Sequence, residues 1–162
     1  MPTNPPPVDI RPVEPGDAAV LSALVDEFAS FEHLPRPDDE AKARLWRDVT
    51  GDRPRASAFL ALVDGQPAGY AIVFETYSSF IARPTLFLED IFVRDVHRGR
   101  RVGYALFRAM AAEADRRGCC RMEWRVLHWN GRAIAFYEQL GAERHEGWHT
   151  YRLPREAFAR LE

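Results

Sequence analysis

The sequence predicts a single α/β (α+β) domain with a mixed, mostly antiparallel central sheet and helices on both faces. Three observations lead there. Asp64-Gly65 separates two apolar runs, the pattern of a two-residue hairpin. Thr85 to Val93 is nearly all apolar, as a central strand covered on both sides should be. That run feeds a basic, glycine-containing turn, a helical stripe and a further strand, which is a β-α-β unit. The 162 residues suit one domain by length, spanning 8–162 after a proline-rich start at 1–7 that is expected to be disordered.

The elements follow in order. Val8 to Pro12 alternates and reads as a short edge strand, where a proline is tolerable. Asp17 is placed to cap a helix with Val20, Leu21, Leu24, Val25 and Phe28 on one face. The run Phe31-Glu32-His33-Leu34-Pro35 ends it, and Pro37 to Val49 forms a second, polar helix. Ser57 to Val63 and Pro67 to Phe74 are the hairpin strands. Thr76 to Pro84 is a loop carrying Tyr77, Phe80 and Ile81 exposed. After the central strand, Val102, Ala105, Leu106, Ala109 and Met110 recur at helical spacing, with Gly118 just past the end. Arg121 to Leu127 is a strand, and Asn130 caps a helix that runs to Leu140 and stops at Gly141. Ala142 to Glu146 and Trp148 to Leu153 read as two strands about Gly147, before a short helix from Pro154. The order is β-α-α-β-β-β-α-β-α-β-β, plus the terminal helix.

Composition removes several function classes. Net charge is −2, which lacks the global basic field of a nucleic-acid binder. No run of about 18 apolar residues exists to span a membrane, and the N-terminus lacks the pattern of a secretory signal. Cys119 and Cys120 are adjacent and cannot make a spaced disulfide framework, so a reducing cytoplasm fits. The five histidines show no ligand spacing, so no metal is expected.

The basic turn carries the first chemical signal. Arg98-Gly99-Arg100-Arg101 stands between a strand end and the first residues of a helix, Val102 and Gly103. The opening N–H groups of a helix have no internal partner and carry the positive end of its dipole, so they suit an anion. The turn lacks the GK[ST] ending of a P-loop and the spaced glycines of a dinucleotide fingerprint. Read alone, it is equally a solvated basic turn.

The turn resembles the acyl-CoA pyrophosphate loop of the GCN5-related N-acetyltransferases, R/Q-x-x-G-x-G/A. Arg98 fills the first position and Gly103 the last, while Arg101 replaces the first glycine. That replacement is tolerable where the residue has helical φ and ψ. Residues 130–141, Asn-Gly-Arg-Ala-Ile-Ala-Phe-Tyr-Glu-Gln-Leu-Gly, resemble the more specific N-x-x-A-I-x-F-Y-x-x-x-G signature. With Leu88 to Val93 before it and Glu146-Gly147-Trp148 after it, the chain is similar to the spermidine/spermine and thialysine N-acetyltransferase subgroup.

The resemblance implies acetyl-CoA as cofactor, direct attack by a primary amine in a ternary complex, and a homodimer. It implies Tyr137 as the acid that protonates the leaving thiolate and Glu89 as the base acting through water. It implies pantetheine on the backbone of Ile91, Phe92 and Val93 at a strand bulge, and pyrophosphate on Arg98, Gly99, Arg100, Arg101, Val102 and Gly103. Asn130 and Tyr137, seven apart on one helix, share a face toward the cofactor. Glu32, Glu89 and Asp90 are the expected contacts to a small cationic amine. Ideal strand alternation sends Glu89 and Asp90 to opposite faces. The rival reading is an acyl-CoA-binding sensor on the same fold without catalysis.

Overall fold

The computed structural model describes residues 7–161, so the start at 1–6 lies outside the described residues. The chain divides into two compact units, Met1–Arg125 and Val126–Glu162.

The first unit is a five-stranded sheet in the order β1-β2-β3-β4-β5. Its strands are β1 (Val8–Pro12), β2 (Ser57–Val63), β3 (Gln66–Ser78), β4 (Arg83–Val93) and β5 (Met122–Trp124). The first four pair antiparallel, and β4 with β5 is parallel. The mixed, mostly antiparallel sheet is therefore as expected. Asp64 and Gly65 both take positive φ, 51° and 73°, which gives the β2–β3 hairpin the turn geometry that matches strand twist. β3 and β4 run further than expected, taking in Thr76–Ser78 and Arg83–Pro84 from the anticipated loop. β5 is shorter and stops at Trp124 rather than Leu127.

Helices cover both faces. α1 (Ala18–Phe31) and α2 (Asp39–Thr50) lie on one, where Leu21, Leu24 and Val49 pack with Ala58, Leu60, Tyr70, Ile72 and Phe92. α3 (Val102–Arg116) lies on the other, where Val102, Leu106, Met110 and Ala114 meet Phe59, Ala61, Val63, Ala71, Val73, Leu86 and Leu88. Burying each larger aliphatic side chain contributes roughly 1.5–3 kcal/mol before entropy is counted. Asp17 sits at the start of α1, yet its carboxylate does not cap the helix. It accepts instead from Arg11 (2.6 and 3.1 Å) and from the Glu14 N–H (2.7 Å), because a charged, two-pronged arginine fork is the stronger donor.

The second unit holds α4 (Gly131–Gln139) and a 3₁₀ helix, Arg155–Leu161. Asn130 does cap α4, accepting from the Ala133 N–H at 3.2 Å. The two strands expected over 142–146 and 148–153 are not formed. Alternation supplies a face, but a strand exists only through a paired neighbour. Here Trp148, Tyr151 and Leu153 are exposed, so no packed face supports a ladder.

Candidate active site

The site begins with an irregularity in β4. Ile72 of β3 stands opposite Asp90 and Val73 opposite Leu88, which leaves Glu89 without a counterpart. This bulge breaks the alternation expected for Glu89 and Asp90. Leu88 and Ile91 both pack against the α3-side core, so the two carboxylates between them are displaced from that face together. They do not point to opposite sides as a regular strand would require. Glu89 is exposed and lies 3.4 Å from Arg125.

Asp90 is half-buried, and its Oδ2 accepts from the Tyr70 hydroxyl at 3.0 Å. Burial, helped by the charges of Glu89 and Glu32, pushes the Asp90 carboxyl up to about 6 against the lowering effect of that hydrogen bond. Burial also raises the Glu32 carboxyl, and lifts the Tyr70 phenol well above its ordinary value. Glu32, at the C-cap of α1, thus acts electrostatically on both Asp90 and Tyr70. Tyr70 was not among the residues singled out from sequence. Its only sign there was a phenol in an otherwise apolar strand, and its partner is 20 residues away.

Beyond the bulge, β4 loses its neighbour. The β4–β5 pairing covers only Leu86–Met122, Phe87–Glu123 and Leu88–Trp124. Among the described residues, Asp90 to Val93 therefore has a strand partner on the β3 side alone. The peptide groups of Ile91, Phe92 and Val93 that face away from β3 are outside the ladder.

Val93 leads to a single turn, Asp95–His97, and then to the basic loop. Arg98 is held by the protein: its Nε donates to the Val93 carbonyl (3.1 Å), it pairs with Asp95, and its guanidinium lies 4.6 Å from the Phe31 ring centre. Its side chain braces the loop, whereas Arg100 and Arg101 are exposed. Gly99 takes φ +79°. Arg101 departs from the expectation of helical geometry, for its φ is +64°, in the left-handed region. The loop needs that conformation to enter α3, and arginine adopts it at a steric cost that glycine avoids. Arg101 gives α3 no side-chain cap, unlike Asp38 of α2 (2.7 Å to the Ala41 N–H) or Asn130 of α4. A Cβ at Gly103 would meet the Val93 side chain at 3.9 Å, an ordinary contact.

In the second unit, Asn130 and Tyr137 lie at opposite ends of α4, and Tyr137 is partly buried beside Phe136, ring centres 5.5 Å apart. Cys119 and Cys120 are free; burial raises the Cys119 thiol, which does not suit a nucleophile at neutral pH.

An acetyltransferase (GNAT) family model matches residues 20–142. The chain belongs to the GNAT acetyltransferase family. It is an N-acetyltransferase by that membership and by its relatives. A thialysine N-epsilon-acetyltransferase of Bos taurus is 32% identical, over 95% of this chain and 96% of its own. An L-ornithine N5-acetyltransferase of Arabidopsis thaliana is 37% identical, over 71% of this chain and 51% of its own length. Among solved structures, a ribosomal-protein-alanine N-acetyltransferase from Brucella melitensis biovar Abortus 2308 superposes with a TM-score of 0.72 at 26% identity, covering 91% of this chain and 100% of that one. The likeness to thialysine enzymes agrees with the subgroup read from the motifs.

Proposed function

We propose that this acetyltransferase moves the acetyl group of acetyl-CoA to the primary amine of a small cationic molecule by direct attack in a ternary complex. The observation that carries the proposal is the run from Asp90 to Val93, laddered to β3 but outside the pairing with β5, leading into the start of α3, which has no side-chain cap. A strand border open on one side, in line with a helix N-terminus, suits an extended chain that ends in phosphates. Ile91, Phe92 and Val93 would hold pantetheine through their backbone, and Gly99 to Gly103 the pyrophosphate. Arg100 and Arg101 would add charge, with Arg98 fixing the loop beneath. We assign Asn130, which caps α4, and Tyr137, on the same helix, to cofactor binding as well.

The chemistry assigns the remaining roles. A primary amine of pKa about 10.4 is mostly protonated near neutrality, and freeing it costs roughly 4 kcal/mol. Glu89, exposed and beside Asp90, would take up that proton through water, while Glu32 and Asp90 would hold the cationic substrate. The amine nitrogen then bonds to the acetyl carbon as the carbon–sulfur bond breaks, Tyr137 would give its proton to the departing thiolate, and the proton shed by the acylated nitrogen would pass through solvent to restore the phenol. A phenol near 10 gives its proton to a thiolate near 8.5 at a cost of about 2 kcal/mol, so it must be held close. The thialysine and ornithine relatives, named for amino-acid amines, support this substrate class. Homodimerisation and a cytoplasmic location belong to the same proposal. Exposed Trp148 and Tyr151 support the first, and the free, adjacent cysteines the second.

Release of free CoA thiol from acetyl-CoA, followed across diamines and basic amino acids, tests the reading. Amine-dependent release is expected. Tight acetyl-CoA binding with no release for any amine would instead assign the chain to the sensor class.

A further inference from the structure

We propose that Tyr70 is a positioning residue for amine recognition: its hydroxyl fixes the Asp90 carboxylate at the β4 bulge and keeps it charged for the incoming ammonium. The inference rests on the reading of Asp90 as a substrate contact.

Three features carry it. Tyr70 is fully buried in β3, with its ring packed between Phe28 (6.2 Å, edge-on) and Phe92 (6.3 Å), so the hydroxyl cannot swing away. That hydroxyl donates to Asp90 Oδ2 at 3.0 Å. The groups acting on Asp90 from the neighbouring elements are Tyr70 of β3, Glu89 of β4 and Glu32 at the end of α1; none is cationic, and the two carboxylates oppose its ionisation. Such a carboxylate, half-buried among like charges, would take up a proton and turn neutral. The Tyr70 hydrogen bond is the one contact here that favours the charged form. The bulge makes the pair possible, because without the extra residue Glu89 would stand where Asp90 faces Tyr70.

Tyr70→Phe removes only the hydroxyl and keeps the ring packing. It is compared with the wild type in kcat/KM for the amine from pH 5.5 to 9. The ratio of the two profiles cancels the amine's own titration. In the variant Asp90 ionises at a higher pH, so kcat/KM is expected to fall roughly fivefold at pH 6 and less than twofold at pH 8.5. The KM for acetyl-CoA stays within twofold. A loss equal at all pH values, or no loss, overturns the proposal and leaves Tyr70 a core residue. If the variant does not fold, wild-type protein carrying ¹³C at tyrosine Cζ decides the matter. The Tyr70 resonance should follow a titration near pH 6 whose midpoint drops when the amine is added. A resonance that is flat through that range, or a midpoint indifferent to the amine, rejects it. A wild type with no amine-dependent thiol release would instead reject the proposed function itself.

Discussion

Single residues divide into those that hold the site and those that act in it. Arg98 belongs to the first group, since its guanidinium is spent on Val93, Asp95 and Phe31. Arg101 belongs there too, through its backbone, with φ at +64°. A left-handed non-glycine residue costs roughly 1–2 kcal/mol, partly offset by the greater chain entropy of glycine when unfolded. Arg101→Gly is therefore expected to raise stability by about 0.5–1 kcal/mol in urea titrations. Acetyl-CoA affinity, measured calorimetrically, should change by no more than a few-fold, since a closer backbone approach offsets one lost charge. Tyr137 is expected to act. Tyr137→Phe should lower turnover at least about tenfold while acetyl-CoA still binds, and steady-state kinetics with unchanged turnover would remove the phenol from the mechanism.

At the scale of elements, α4 rests on its cap. Asn130 satisfies one of the four N–H groups that open the helix. Asn130→Ala should cost about 1 kcal/mol, read as lost helix protection in amide exchange over 131–139. That cap could be seen in the sequence, as could the Asp64-Gly65 hairpin and the apolar stripe of α3, because each is set by neighbours a few residues apart. The bulge could not be derived that way: the resemblance implied one in this strand, but that Glu89 is the extra residue, and so which face Asp90 takes, comes only from the pairing with β3. Tyr70 escaped for the same reason. The strands expected over 142–153 mark the opposite error, a period-two pattern read as structure where no partner strand holds it. Asp17 shows a third kind, a residue suited to capping that a stronger partner, Arg11, takes away.

For the molecule as a whole, Asp90 trades stability for use. Its carboxyl ionises near 6 in the fold against 3.8 ordinarily, so the folded chain binds more proton than the unfolded chain between those values. Stability therefore falls as pH rises from about 4 to about 6, and the deficit persists above that. Asp90→Asn should gain about 1–2 kcal/mol at pH 7.5, after allowance for partial exposure, and nothing near pH 4. Paired urea melts at the two pH values would show this. The same variant should lose amine acetylation, the usual cost where a binding group is held against its preference. The early end of β5 carries a different consequence. Four residues, Asp90 to Val93, with a ladder on one side alone leave that border of the sheet as soft as any outermost strand, however central its sequence looks. A long, thin ligand laid along it would serve as the adjoining strand, so the protein should resist heat better as its acyl donor is supplied, and CoA without the acetyl group should protect nearly as well.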